Sequence, residues 1–167
     1  MQTFRFISVW KIETPLQDVW DALFKMEAWP AWWHGVQQVE VLDWGAPDRV
    51  GFSSRQVWKS KLPYTLTFQG RIDRILPLKR IEITSQGELQ GSGLMRFAHD
   101  GRITTFQYDW NVATTKVWMN LLAPIAKPFF SWNHDIIMNW GAQGLARKLG
   151  TSNVQTSDQG AFPAEGT

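Results

Sequence analysis

The stretch TPLQDVWDALFKMEAWPAWWHG, residues 14–35, decides the fold once it is set beside KVWMNLLAPIAKPFFSWNHDIIMNWGAQGLARKL, residues 116–149. The first opens as a helix does. Thr14 suits the N-cap, Pro15 the first helical position, and Gln17 completes a capping box. Leu16, Val19, Trp20, Leu23 and Phe24 recur at the i, i+3, i+4, i+7, i+8 spacing of a one-faced helix. Asp18 and Asp21 favour the positive end of its dipole and Lys25 the negative end. Trp29 to His34 reads as one short helical turn, opened by Pro30 and stopped by Gly35. The second stretch reads as a single long helix ending at Gly150. Its apolar side is drawn through Leu122, Ile125, Phe129, Asn133, Ile136, Trp140 and Gly144. Pro124 and Pro128 lie inside it, and an internal proline removes a hydrogen bond and clashes with the preceding turn at about 3 kcal/mol. A kink or break is therefore expected near Pro128.

Everything else in the chain alternates as strands do. Residues 3–13 place Phe4, Phe6, Trp10 and Ile12 on one face, with Arg5 and Lys11 on the other. Further strands are expected at about 36–43, 49–58, 64–75, 80–85, 88–97 and 102–113. The connections Gly45–Asp48, Lys59–Pro63 and Asp100-Gly101 mark close turns. Short strands joined by close turns argue for an antiparallel meander. One strand, two short helices, six strands and a long helix describe a seven-stranded curved antiparallel sheet wrapped around the last helix, with its first and last strands adjacent. This is an α+β fold over residues 1–150. Residues 151–167 lack periodicity and read as a disordered tail.

Composition narrows the function. A chain of 167 residues suits one domain with an adequate core. It has no cysteine, which excludes disulfides and thiolate chemistry. The amino-terminal segment lacks the basic-then-apolar layout of a signal peptide, and no apolar run approaches the roughly 18 residues of a membrane span. A cytoplasmic location is the expectation. The net charge is +2, with no Lys/Arg block, so nucleic acid is not an expected partner. Tryptophan is the outlier at 11 residues, and that many flat side chains must fill a core, line a pocket or form an interface.

Candidate site residues follow from parity. Leu89, Gly91, Gly93, Met95 and Phe97 share one face of a strand, and two glycines on that face leave either a recess or a bend. Phe106, Tyr108, Trp110 and Val112 share one face of the next strand. Trp58, Tyr64, Tyr108, Trp110 and Trp140 are placed to line the recess or to pack the core. Asn133, on the apolar side of the long helix, needs a partner from protein, water or ligand. The expected ligand-binding set is Trp58, Phe68, Gly91, Gly93, Met95, Tyr108, Trp110, Phe129, Asn133 and Trp140, around an apolar void of roughly a few hundred Å³. The histidines, His34, His99 and His134, have no second ligand at metal-binding spacing, so no metal and no cofactor is expected. No nucleophile motif, P-loop or dinucleotide fingerprint is present.

The segments TPLQDVWDAL, WPAWWHGVQQVEVL, GELQGSGLMRF, TTFQYDWNV and WMNLLAPIAKPFFSWNHDIIMNWGAQGLARKL together resemble the polyketide cyclase/dehydrase and lipid-transport group of the START/Bet v 1-like (SRPBCC) superfamily, over about residues 3–150. The resemblance implies a helix-grip fold around a hydrophobic tunnel. It also implies a small apolar ligand such as a lipid, a polyketide or a quinone-like molecule. Some members of that group are cyclases, others carriers, and others act on partner proteins. The expectation here is binding of a small hydrophobic molecule without catalysis. The alternatives are a polyketide cyclase or dehydratase using the same cavity, and a protein-interaction module without a small ligand.

Overall fold

A computed structural model describes residues 2–165. Strand β1 (Thr3–Ile12) leads into α1 (Leu16–Phe24) and a 3₁₀ turn (Met26–Ala31). Six strands follow: β2 (Val36–Asp43), β3 (Ser53–Lys59), β4 (Thr65–Leu76), β5 (Arg80–Gly87), β6 (Leu89–Asp100) and β7 (Ile103–Thr114). Helix α2 (Val117–Leu149) and a short strand β8 (Val154–Ser157) complete the chain. The sheet order is β2-β3-β4-β5-β6-β7-β1-β8, and every neighbouring pair is antiparallel. β1 and β7 are adjacent, pairing Thr3 with Ala113 through to Ile12 with Thr104. The sheet has eight strands rather than seven, because the segment expected to be a disordered tail adds β8 beside β1. Residues 166–167 of that tail lie outside the described residues.

The period-two readings place the core. Phe4, Trp10, Ile12, Met95, Phe97, Phe106 and Val112 are all buried on the face that receives α1 and α2. The 3₁₀ turn brings Trp29, Trp32 and Trp33 inward, and all three are buried. The Trp33 ring packs against Trp10, Trp29, Trp32 and Trp58, with centroids 5.1–5.4 Å apart. Such pairs contribute about 0.5–1.5 kcal/mol each beyond burial. The Trp33 indole N–H donates to the Ile137 carbonyl at 2.9 Å, joining the turn to α2. Helix α2 can approach this cluster because it carries glycine there. A Cβ on Gly144 would lie 1.9 Å from the Trp32 carbonyl oxygen, and one on Gly141 would lie 2.4 Å from the Trp33 ring.

Three local expectations are corrected. Pro15, not Thr14, occupies the α1 N-cap, and no side chain caps that end. Thr14 is held elsewhere, its carbonyl accepting from the Thr104 hydroxyl at 2.6 Å, and the Gln17 amide reaches forward to Asp21. Pro30 lies inside the 3₁₀ turn rather than opening it. Of the kink or break expected near Pro128, the break is not found, since helix α2 is continuous through Pro124 and Pro128. Both prolines face solvent, where water can take the carbonyls that lose their bonds.

The carboxy-terminal segment is strapped to the outer face of the sheet. Arg96 and Asp109, neighbours on β6 and β7, form an ion pair at 2.8 Å with both side chains almost wholly buried. The cover is residues 161–163. Gln107 accepts from the Ala161 N–H at 2.7 Å, Arg96 donates to the Pro163 carbonyl at 2.7 Å, and the Phe162 ring lies 5.2 Å from the guanidinium.

Candidate ligand cavity

The sheet and α2 enclose two apolar lobes that meet along a common wall. The inner lobe, beside the tryptophan cluster, is lined by Met26, Trp29, Gln56, Trp58, Phe68 and Tyr108 among others. The outer lobe, toward the start of α2, is lined by Phe4, Phe6, Tyr64, Met119, Phe130 and Asn133 among others. Leu66, Leu89, Trp110, His134 and Ile137 belong to both. Each lobe offers about 60 Å³ to the centre of a water-sized body. This is room for only a few waters, well below the expected void, because indole and phenyl rings fill the space between sheet and helix. Among the described residues, no carboxylate, lysine or arginine lines either lobe.

The expected site residues fall into two groups. Trp58, Phe68 and Tyr108 line the inner lobe, Asn133 the outer, and Trp110 both. The others do not line either lobe. Phe129 points to solvent at 62% exposure, while its neighbour Phe130 is buried. Trp140 is half-buried against His34, ring centroids 4.3 Å apart. Met95 is fully buried in the core. Gly91 is set by the backbone, with φ of 154° and a would-be Cβ 2.0 Å from the Asn111 carbonyl oxygen. Gly93 leaves no recess either, because the Tyr108 ring fills it, 2.8 Å from where a Cβ would stand. Its role is to seat Tyr108.

Most polar groups on the lobes are already satisfied. The Trp58 indole N–H donates to Gln56 Oε1 at 2.9 Å, the Gln56 amide donates to Ser54 Oγ at 3.1 Å, and the Ser85 hydroxyl donates to the Leu89 carbonyl at 2.8 Å. Two are not. Asn133 Oδ1 and His134 Nδ1 are buried and have no hydrogen-bonding partner among the described residues. Asp135 lies 3.8 Å from His134 Nδ1, too far for a hydrogen bond, and its side chain is half exposed. The His134 ring stacks on Phe6, centroids 4.3 Å apart and planes 11° from parallel. Burial holds its pKa below the ordinary value of 6.5, against a smaller opposing pull from Asp135, so the imidazole is neutral at neutral pH. Tyr108 is half-buried by surface area only because its free face meets the inner lobe. Protein surrounds it, and burial drives its phenol far above the ordinary range. The cavity is thus neutral throughout, with an unused acceptor on Asn133 and a neutral imidazole beside it.

His134 is the lining residue that the sequence places worst. Its spacing raises only the question of a metal ligand, and among the described residues no three His, Asp or Glu side chains gather as such ligands do. The signal that finds it is the small-residue register of α2. The face carrying Gly141 and Gly144, followed back one to three turns, meets Ile137, His134, Asn133 and Phe130.

Comparison with known proteins agrees with this architecture. Residues 12–135 match the family model described as polyketide cyclase/dehydrase and lipid transport. Among solved structures, the chain is similar to a protein from Thermus thermophilus, with a TM-score of 0.71 at 15% identity over 87% of this chain and 99% of that one. It is similar to a START superfamily protein from Mycobacterium smegmatis, with a TM-score of 0.70 at 13% identity over 87% and 97%. It is also similar to the di-domain ARO/CYC BexL from the BE-7585A biosynthetic pathway, with a TM-score of 0.70 at 17% identity. There the match covers 90% of this chain and spans about half, 51%, of the di-domain protein. No curated protein matches in sequence.

Proposed function

Because the chain belongs to the polyketide cyclase/dehydrase and lipid transport family, a group built on a hydrophobic-ligand-binding fold, we propose that it binds a small, mainly apolar molecule carrying one hydroxyl or comparable donor. The observation that carries this reading is the pair of unpartnered polar atoms, Asn133 Oδ1 and His134 Nδ1, on the wall of an otherwise apolar, uncharged cavity. A buried acceptor without a partner costs about 1–3 kcal/mol, which a ligand donor recovers on binding. The apolar body of the ligand is held by burial, at about 25 cal/mol per Å² before the costs of association. Its entry requires rings that now close the lobes, such as Tyr64 and Phe130, to turn aside.

Equilibrium dialysis with a naphthol and with naphthalene tests this. The naphthol is expected to bind more tightly, and Asn133→Leu is expected to abolish that preference while leaving naphthalene binding in place. Equal binding of both by the unaltered protein, or no binding of either, would overturn the reading.

Catalysis of cyclisation or dehydration is a second reading, supported by one observation. His134 and Tyr108 both line the inner lobe, where the neutral imidazole could take a proton from a ketone substrate and the phenol could donate a hydrogen bond to its oxygen. Mass spectrometry separates the two readings. A poly-β-ketone thioester recovered intact after incubation supports binding alone. Loss of water that disappears in His134→Gln supports catalysis.

A further inference from the structure

The amino-terminal half of α2 turns large apolar side chains to solvent. Leu121 is 76% exposed, Ile125 80% and Phe129 62%, with Trp118 and Trp132 exposed at 41% and 48%. Spacings of three, four, four and three residues put these five on one stripe of the helix. The stripe lies on the side of the helix turned away from buried Met119, Ala123 and Phe130, and ends in a tryptophan at each extremity, about 21 Å apart along the axis at 1.5 Å per residue. Scattered exposed apolar residues are ordinary, but a continuous row of this kind marks a contact surface.

Its surroundings identify the contact. From Asn111 to His134 the chain has no aspartate or glutamate, and its only charges are Lys116 and Lys127. Lys116 is paired with Glu88 at 2.8 Å. At the Trp118 end, the Tyr64 ring meets Trp118 at 5.1 Å, bringing up the β3–β4 connection with exposed Lys61. An apolar row bounded by indoles and bordered by ammonium groups, with no carboxylate along it, matches the interface of an anionic lipid bilayer. There apolar side chains enter the acyl boundary, indoles settle at headgroup depth and lysines meet phosphate. A second copy of the chain would instead set one acid-free surface against another, with no partner for the lysines.

We propose that this stripe of α2, with the β3–β4 connection, docks the protein onto an anionic lipid surface. The docking stands without the ligand reading. The route it implies, from bilayer past Tyr64 into the outer lobe that Tyr64 lines, rests on that reading.

Co-sedimentation with vesicles tests the docking. The protein is expected to sediment with vesicles of phosphatidylcholine and phosphatidylglycerol in equal amounts, and less with phosphatidylcholine alone. The double variant Ile125→Glu/Phe129→Glu removes two of the most exposed side chains of the row. It is expected to lose membrane partitioning by about a hundredfold while keeping its melting temperature and its naphthol binding in solution. Wild-type protein that sediments with neither vesicle overturns the proposal. So does a dimer by light scattering that the double variant converts to monomer, which would assign the stripe to a second copy. Failure of naphthol binding with vesicle binding intact would sink the cavity reading and leave the docking standing.

Discussion

The two halves of α2 meet the rest of the molecule in opposite ways. From Asn133 onward the helix buries small residues, Gly141, Ala142, Gly144 and Ala146, against a tryptophan cluster so close that the Gly144 position has no room for a methyl group. Before Asn133 it rests on a few side chains, Met119, Ala123 and Phe130 against Phe4, and leaves its large apolar residues outside. The same helix is therefore clamped at one end and lightly held at the other. The outer lobe lies under the lightly held end, and Asn133 and His134 sit at the junction. Rigid support is concentrated where the tryptophans are, and the outer lobe lies under the more weakly packed end.

The largest test of this contrast is Gly144→Ala. The added methyl group meets the Trp32 backbone, which cannot turn away as a side chain can, and a loss of about 3 kcal/mol in thermal or urea unfolding is expected. A loss below about 0.5 kcal/mol, the range of an ordinary surface change, would show that the clamp is not tight.

The junction should respond to acid. Burial holds the folded-state pKa of His134 below the unfolded value of 6.5, so on acidification the unfolded chain takes up this proton first. The His134 contribution to stability is thus level above about pH 6.5. Below it, stability falls by up to about 1.4 kcal/mol per pH unit until the folded-state pKa is passed. Urea titrations across that range should show the fall in the wild type and a shallower one in His134→Gln.

At the same junction, Asn133→Leu removes an unpartnered acceptor and adds apolar surface. It is expected to raise the stability of the free protein by about 1 kcal/mol. A loss instead would mean that Asn133 already has a partner, such as an internal water. The smallest effect belongs to the lightly held half. Ile125→Glu should change unfolding free energy by less than about 0.5 kcal/mol, since the side chain touches little. A loss of several kcal/mol there would erase the difference between the two halves.

How far the sequence can be read follows the same division. Strand faces are legible, because period two leaves no choice once Phe4, Phe106 and Met95 are assigned inward, and Trp58, Phe68, Tyr108 and Trp110 come with them. The short turn at Trp29–Trp33 is legible from its aromatics, though not the position of Pro30 within it. The phase of α2 is not. Apolar residues surround its first half, so Phe129 and Phe130 are equally good inward candidates on hydrophobicity, and only the small residues further along decide between them. Gly93 reads as space because its own side chain is absent. The ring that occupies the space belongs to Tyr108, one strand away, and no single strand reveals that. Thr14 carries the right cap chemistry but is held by Thr104, a contact 90 residues distant.

The short strand β8 has a consequence for how this protein behaves among its own copies. It covers β1 from Val9 to Ile12 at the end of the sheet. A chain cut at Gly150, where helix α2 stops, would bare those backbone N–H and C=O groups. It would also uncover the Arg96–Asp109 pair beneath Phe162. A bare strand edge is a template for another chain. What reads in sequence as a disordered tail is, on this arrangement, the cover over part of that edge.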